Sequence, residues 1–586
     1  MPSMPSSPAA SAPTALPVGA SLRGWLDHLQ QSQRLSVIRP GTDLRFGVAA
    51  IANRLDGQSA SLFLQPGGHE IPVISGLLSD RQWMADAMGV EPSQVLARFE
   101  HASLEPLAWQ ETADAPCQQV VHHEVDLLSQ LPIPTHNEHD SGAYITAGLL
   151  ITRNPRTGVQ NVSIHRLQVS GPNRLGALLL PRHALAYFQE TERENEDLEV
   201  AVVVGCDPLT LMASQAIVPI DHDELEIAGA LHGRPLPVAK CVTNRIRVPA
   251  EAEIVIEGRL LANAREEEGP FGEFPQYYGE RAERHVIEVD AITHRQAPMF
   301  HTIVGGGLEH LLLGGIPREA TMLAHLRRSF PSVRDVHLAR GGVCRYHLYV
   351  QIDKRSEGEA KNVILGALGG HYDIKHVVVV DTDVDIHDPT EVEWAVATRF
   401  QADRDLVLIH ESQGSKLDPS TRDGVGSKMG FDATVPLSAP PMRFKRIRVP
   451  GETEVDLGAV SQRMDAAAGP PATAFSRYRF QDAPAAAHKA PLPAPSHPVI
   501  TGSAVPGTTT TTASSDRRYR CSRHDTSSTA SGATTANGPT ASTPPTANSS
   551  DASPMAARPR RAPRSRPPPR HSTTRNGRRT LACASS

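Results

Sequence analysis

Four consecutive valines, Val377–Val380, restrict the fold more than any other feature of this sequence. A β-branched apolar run with no polar alternation belongs to a strand covered on both faces, which calls for a parallel or mixed sheet with helices packed on it. The preceding residues agree. Tyr346, Leu348, Val350 and Ile352 alternate with His347, Tyr349, Gln351 and Asp353, which predicts a half-buried strand, and Glu359 to Leu368 reads as the intervening helix. The region is a β-α-β unit. Beyond it, Asp388 is placed as an N-cap, with Pro389 at N1 and Glu391 at N3, opening a helix through Trp394 and Arg399.

Toward the N-terminus, Leu22, Trp25, Leu26 and Leu29 share one stripe of an amphipathic helix over 21–33. Segment 100–140 is irregular, rich in Pro, His and acids, and suggests a boundary. From Ala143 to about Thr302 the pattern is strand-like, with Ile287, Val289 and Ala291 alternating with Glu288 and Asp290. Gly305-Gly306-Gly307 and Gly314-Gly315 punctuate a mobile-looking stretch, and Pro317 suits the first turn of a helix carrying Leu323 and Leu326. The core is α/β or α+β, in at least three parts.

Composition separates this core from the C-terminal segment. Residues 481–586 contain 13 Arg, 1 Lys and 4 Asp, with one Tyr and no Phe, Trp or Glu, a net charge of +10 in a chain of net −6. Such a segment buries too little apolar surface to offset its ordering entropy and is expected to be disordered. Arg558-Pro559-Arg560-Arg561 can attract nucleic acid. Without an aromatic platform or folded module, a solvated extension is the preferred reading, and an out-of-frame 3′ end is a third. The six cysteines show no CxxC spacing, which argues against a disulfide framework or zinc knuckle. The first 20 residues lack a basic start and an apolar core, and no apolar run reaches the length of a membrane span, so a cytoplasmic enzyme that binds no membrane is expected.

The densest chemistry lies in Glu266-Glu267-Glu268-Gly269-Pro270-Phe271-Gly272-Glu273-Phe274. Such a loop on its own is most often a solvated turn. Here Gly269, Pro270 and Gly272 fix a tight backbone, and Phe271 and Phe274 would bury the carboxyls. A carboxyl beside apolar rings has a raised pKa and can donate a proton near neutral pH. In Asn161-Val162-Ser163-Ile164-His165-Arg166, strand alternation puts Asn161, Ser163 and His165 on one face and Arg166 on the other unless the strand bends. A polar edge strand and a ligand-binding strand are both open. His183 and Glu224 are isolated candidates. With an Asn oxygen they would suit Mn2+ or Mg2+, although spacing does not show that they meet. Lys428, flanked by Gly426 and Gly430, can reach a phosphate, but no Walker or dinucleotide fingerprint is present.

Taken together, Asn161-x-Ser-x-x-Arg166, His183, Glu224-x4-Gly229, Glu268-Gly-Pro-Phe-Gly-Glu273, Asp381-x-Asp383, Glu393-Trp394, Leu417-Asp418-Pro419-Ser420 and Gly-Ser-Lys428 resemble the UbiD family of decarboxylases in content and order over about residues 20–450. The resemblance implies an N-terminal α/β domain (21–120), a central split β-barrel flavin-binding domain (121–310) and a C-terminal α/β oligomerisation domain (311–465); composition adds a disordered leader (1–20) and a disordered tail (466–586), the tail having no counterpart in the family. It implies prenylated FMN, supplied by a separate flavin prenyltransferase, with Mn2+ or Mg2+ and K+, in a homo-oligomer, a dimer or hexamer. Asn161, His183 and Glu224 would ligate the metal, Lys428 would contact the phosphate, and Ser163, Ile164, Arg166, Arg182 and Ser214 would line the flavin. Arg166, Glu268 and Glu273 would be catalytic. The implied reaction is non-oxidative loss of CO2 through an adduct with the flavin's azomethine ylide, an electron sink, after which Glu273 supplies the replacing proton.

The substrate would be an aromatic or heteroaromatic carboxylic acid. His310 and Arg318, eight apart in the Gly-rich stretch, can hold a second carboxylate, a pattern similar to the furan-2,5-dicarboxylate decarboxylase subgroup. Equally, Arg318 could begin a helix and pair with a nearby acid. Furan-2,5-dicarboxylate giving furan-2-carboxylate is the leading expectation, and a hydroxybenzoate such as vanillate, protocatechuate or 4-hydroxybenzoate is the alternative. A non-catalytic scaffold acting through the basic tail is the reading from another class.

Overall fold

The stripe of Leu22, Trp25, Leu26 and Leu29 forms helix α1 (Leu22–Gln31) in the computed structural model, which describes residues 16–460. All four side chains are buried, and Ser21 caps the helix by accepting from the Gly24 N–H at 3.3 Å. Beside it, β1 (Leu35–Ile38), β2 (Ala60–Phe63), β3 (Val73–Ser75) and the much later segment Phe300–His301 form a four-stranded sheet in that order.

The strand-like centre closes on itself. Strands β4 (Tyr144–Arg153), β5 (Gln160–Gly171), β6 (Arg174–Ala177), β7 (Leu198–Val204), β8 (Ile254–Glu268) and β9 (Ala282–His294) pair antiparallel in the order β8-β7-β4-β5-β6-β9, and β9 pairs back onto β8. Closure leaves this six-strand barrel no free edge. Period-2 alternation sorts the side chains. Leu150, Leu167, Leu175, Val202, Ile254 and Ile287 join one buried cluster, whereas Leu149, Ile151, Ala201, Val203 and Val255 join another.

One irregularity matters for chemistry. Between β4 and β5 the register runs Ile145↔Leu167 and then Gly148↔His165, so Thr146 and Ala147 together face Arg166. A two-against-one bulge raises the local twist and re-aims a side chain. Residues of both faces of β5, Asn161, Ser163 and His165 on one and Val162, Ile164 and Arg166 on the other, border the same cavity beside this bulge.

The valine run forms β12 of a third sheet, made from β10 (Val333–Leu338), β11 (His347–Ile352), β12 (His376–Asp381), β13 (Leu406–Gln413) and β14 (Val425–Asp432) in the order β10-β11-β12-β14-β13. β12 pairs parallel with both β11 and β14. Two further helices flank the site, α2 (His183–Arg193) and α3 (Glu224–His232). Gly229 lies where α3 meets backbone: a Cβ there would stand 2.9 Å from Leu107 O and 3.2 Å from Arg234 O, neither of which can swing aside. Gly229→Ala is expected to destabilise the protein by about 1–3 kcal/mol by overpacking, outweighing a helix-propensity gain of about 1 kcal/mol. Urea unfolding measures it, and an unchanged or raised midpoint would refute it.

The Gly-rich stretch departs from expectation. Helix α4 (Leu308–Ser329) begins nine residues before Pro317, which lies inside it with Gly314 and Gly315. The glycines are there for room, because a Cβ on Gly314 would overlap the Arg345 guanidinium. Two buried acids tie α4 to the other sheets. Glu309 accepts from the Gly76 and Leu77 N–H groups at 2.7 and 2.9 Å. Glu319 accepts from Arg81 Nη1 at 2.6 Å and from the Leu338 N–H at 2.7 Å.

The expected cut at 310/311 thus falls in the first turn of α4, and that at 120/121 within a short strand, Val120–His122, paired to β9. One compact unit ends at Asp456, and a second begins at Leu457, of which only the turn Leu457–Val460 is described. The expected tail 466–586, the last residues of the expected C-terminal domain and most of the expected leader lie outside the described residues. Among the described residues no helix is long and apolar enough to cross a membrane.

Candidate active site

A cavity of about 390 Å³ opens between the barrel, α4 and the third sheet. Asn161, Ser163, Ile164, Arg166, Arg182, His183, Ser214, Glu224, Glu273, His310 and Arg318 all reach its wall. Two of the expected site residues do not. Glu268 lies behind Arg166, fully buried, and Lys428 borders a small adjoining space. The Lys428 ammonium donates to Leu368 O at 3.2 Å and Tyr372 O at 3.0 Å, so in this structure it is satisfied by backbone carbonyls rather than turned into the cavity.

One wall is the Arg-Glu-Glu group. Arg166 Nη2 donates to Glu268 Oε2 at 2.7 Å, and Nη1 pairs with Glu273 Oε1. Tyr144 donates its hydroxyl to Glu268 Oε1 at 3.1 Å, and Phe271 lies under the guanidinium at 5.3 Å. The expected burial by Phe271 and Phe274 is observed, since both rings and both carboxyls are buried. Burial raises the pKa of Glu273 in spite of Arg166. With Glu273 protonated, one guanidinium and one carboxylate leave the group neutral, holding a single transferable proton at the cavity surface.

The expected metal ligands come from three elements: Asn161 from β5, His183 from the first turn of α2 and Glu224 from the first turn of α3, which Asp223 caps through its bond from the Leu225 N–H. They meet. Asn161 Nδ2 donates to Glu224 Oε1 at 2.8 Å and lies 3.4 Å from His183 Nδ1, and Glu224 Oε2 accepts from the Val162 N–H at 2.7 Å. Glu224 has no ion pair with a described residue, and burial pushes its pKa up to about 8. His183 is lowered by burial and by Arg182, which keeps its imidazole neutral with a lone pair to give. A buried carboxyl without a cation, a neutral imidazole and an amide oxygen form a donor set that fits Mn2+ or Mg2+, once the Asn161 amide turns to present Oδ1. Among the described residues no cluster of three or more His, Cys, Asp or Glu side chains is placed to hold a metal, so an amide donor would be needed.

Along the barrel wall, His165 Nδ1 lies 3.1 Å from Leu178 O and must be its donor, which leaves Nε2 to accept from Ser163 Oγ at 2.9 Å. Ser214 Oγ donates to Leu211 O at 2.7 Å.

The far end is built by α4 and the third sheet. His310, half-buried at the cavity wall, is pulled down to about 3 by desolvation and Arg345, so it acts as a neutral hydrogen-bonding group and not as a cation. Arg318 Nη1 donates to Gly314 O, its Nη2 lies 3.5 Å from Asp373 Oδ2, and its Nε has no partner among the described residues. Arg345, which the sequence motifs do not single out, is buried beside it, donates from Nη1 to Leu311 O and Cys344 O at 3.0 Å each, and lies 5.3 Å over Phe274. Its sequence signal is indirect: two adjacent glycines in a helix imply a bulky neighbour crossing there.

Comparisons with known proteins agree along the chain. The family model described as the 3-octaprenyl-4-hydroxybenzoate carboxy-lyase Rift-related domain matches residues 109–308, and the N-terminal and C-terminal domain models of the same carboxy-lyase match 26–102 and 311–433. An anhydromevalonate phosphate decarboxylase of Methanothermobacter thermautotrophicus is 40% identical over 379 residues, 64% of this chain and 88% of that protein. Among solved structures, the UbiD-class enzyme HmfF from Pelotomaculum thermopropionicum in complex with FMN shares 49% identity at a TM-score of 0.73, covering 75% of this chain and 99% of that one. An apo 3,4-dihydroxybenzoic acid decarboxylase from Enterobacter cloacae shares 28% identity at a TM-score of 0.70, with 75% and 99% covered.

Proposed function

The chain belongs to the UbiD family of carboxy-lyases, and on that premise we propose that it removes CO2 without net redox change from a heteroaromatic dicarboxylic acid, converting furan-2,5-dicarboxylate to furan-2-carboxylate. The observation that carries the chemistry is the buried Arg166-Glu268-Glu273 group, in which Arg166 pairs with both carboxyls and burial raises the pKa of Glu273 at the cavity wall. That carrying the substrate is the pair of guanidiniums at the opposite end, half-buried Arg318 and buried Arg345.

The cofactor in this reading is prenylated FMN, which when bound supplies the electron sink that stabilises the carbanion equivalent left by CO2. Asn161, His183 and Glu224 would hold Mn2+ or Mg2+ beside its phosphate. Ser163, Ile164, Arg182 and Ser214 would line it, and the accompanying K+ is assigned no ligands. The chain's own residues do the rest. Arg318, Arg345 and His310 anchor the distal carboxylate. Arg166, fixed by Glu268, orients the reacting carboxylate and holds Glu273. Glu273 gives its proton to the carbon that CO2 leaves and regains one from solvent. Phe271 and Phe274 exclude water from the carboxyls.

A hydroxybenzoate remains the second reading, favoured by one observation: a neutral His310 at the cavity wall suits a ring hydroxyl as well as it suits a carboxylate. The test is CO2 release from furan-2,5-dicarboxylate, vanillate, protocatechuate and 4-hydroxybenzoate, with protein co-expressed with a flavin prenyltransferase. The dicarboxylate should be preferred. Arg318→Ala should raise its KM at least tenfold, with a much smaller change in kcat, because the lost contact is remote from the reacting bond. Turnover of a monocarboxylate alone, unaffected by Arg318→Ala, would overturn the substrate assignment.

A further inference from the structure

Two buried carboxyls share Arg166, and only one of them reaches the cavity. Glu273 borders it, whereas Glu268, the last residue of β8, is fully enclosed behind the guanidinium. Desolvation disfavours the charged form of a carboxyl. Burial alone would therefore put the proton that the two share on Glu268, away from any substrate. A donor must hold Glu268 as the carboxylate if Glu273 is to carry that proton.

The start of β4 supplies one. Tyr144, fully buried, is the register partner of Gln168 on β5. Its hydroxyl lies 3.1 Å from Glu268 Oε1, 3.0 Å from Gln168 Oε1 and 3.0 Å from Ser141 Oγ. A phenol has one proton to give. Gln168 Oε1 is already answered by the Gly269 N–H at 3.0 Å, and a carboxylate is the stronger acceptor, so the proton goes to Glu268. Half-exposed Ser141 then donates to the phenol oxygen, where a protonated Glu268 would otherwise have to donate. Both oxygens of Glu268 are thus met, Oε1 by Tyr144 and Oε2 by Arg166, while Glu273 has Arg166 and the Phe274 N–H. Two further charged groups at this turn are engaged elsewhere. Arg281 donates to Gly269 O at 3.0 Å and pairs with Glu267, and Asp140 accepts from the Gly272 N–H at 2.8 Å.

We propose that Tyr144 is a positioning residue for the decarboxylation: by donating to Glu268 it holds that carboxyl ionised and so places the shared proton on Glu273. The proposal rests on the reading that Glu273 is the proton donor. Tyr144 does not line the cavity, so it acts through Glu268 and not on substrate or cofactor. In Tyr144→Phe the ring keeps its place against Phe271, 4.5 Å between centroids, but Glu268 Oε1 loses its donor. The shared proton then moves toward Glu268. Two linked changes follow. Fewer molecules carry the proton on Glu273, so kcat falls, and the pair as a whole holds its proton more tightly, so the alkaline fall in kcat moves to higher pH.

The experiment measures kcat and KM for CO2 release against pH in cofactor-loaded wild type, Tyr144→Phe, Glu268→Gln and the double variant, with whichever acid of the panel is turned over. Tyr144→Phe should lower kcat at pH 7 by about tenfold, the worth of one hydrogen bond to a charged group, and leave KM nearly unchanged. A tenfold fall corresponds to an alkaline limb raised by about one pH unit, so the two profiles should merge at high pH. A general structural defect would lower kcat at every pH. In the Glu268→Gln background, where residue 268 cannot take the proton, Tyr144→Phe should have little further effect. If Tyr144→Phe does not accumulate, Ser141→Ala at the half-exposed end of the chain should give the same pattern at about threefold. Wild-type kcat in Tyr144→Phe, or a loss of equal size at every pH, overturns the proposal and leaves Glu273 as the donor. Full turnover in Glu273→Gln overturns the reading beneath it.

Discussion

Glu273→Gln is expected to lower the turnover of the cofactor-loaded enzyme by about 10²- to 10⁴-fold, the usual worth of a positioned proton donor. The amide keeps the shape of the side chain and can still accept from Arg166, so the fold and cavity should survive. What it cannot do is carry an exchangeable acid proton. The pH dependence gives a second handle on the same group. Burial raises the folded-state pKa of Glu273, and only the protonated form donates, so wild-type kcat should fall as pH rises through that raised pKa. In the variant this limb should disappear from the residual rate. CO2 release across pH measures both, with flavin absorbance reporting retention of the cofactor. Full turnover in the variant, or a limb that persists in it, would remove Glu273 from the role of acid.

Arg166→Met should have the largest combined effect, because it removes the cation shared by two buried carboxyls. Breaking a buried pair from one side costs about 3–5 kcal/mol, more than replacing the whole group by apolar residues would. Activity should vanish with it. The deficit should also depend on pH in a definite sense. Without the guanidinium, the folded-state pKa of Glu273, already raised by burial, would rise further above its unfolded value, so native stability would be retained at low pH and lost as pH rises through the folded-state value. The variant should thus lie nearer the wild type at pH 5 than at pH 8 in urea unfolding. A deficit below about 1 kcal/mol, the range of a solvent-exposed pair, and independent of pH would mean that the three side chains do not act as a coupled buried group.

The parts of the fold legible in the sequence were those whose signal is local. Val377–Val380 needs both faces covered and is a strand paired parallel on both sides. Ser21 and Asp388 cap helices with their own side chains. The Arg166-Glu268-Glu273 triplet was legible as a family pattern, yet spacing alone could not bring Arg166 to residues more than a hundred positions later; barrel closure does that. That both faces of β5 border one cavity was illegible for a sharper reason: the bulge beside Arg166 sits in β4, so the strand that bears the arginine carries no trace of it. Gly314, Gly315 and Pro317 misled because in most contexts they punctuate a chain. Here the glycines record the passage of Arg345 against a helix, a contact written in a distant segment.

The two acids of α4 bear on how such a chain can be recombined with its relatives. Glu309 is answered by Gly76 and Leu77 before the barrel, while Glu319, ten residues later, is answered by Arg81 before the barrel and by Leu338 after it. A crossover placed at the apparent seam near residue 310 would hand Glu309 to one parent and Glu319 to the other, and would take Arg81 from its acid. α4 is therefore inherited as a block together with residues 76–81 and the strand around Leu338. Because Arg318 is carried on the same helix between the two acids, the end of the cavity that it lines travels with that block.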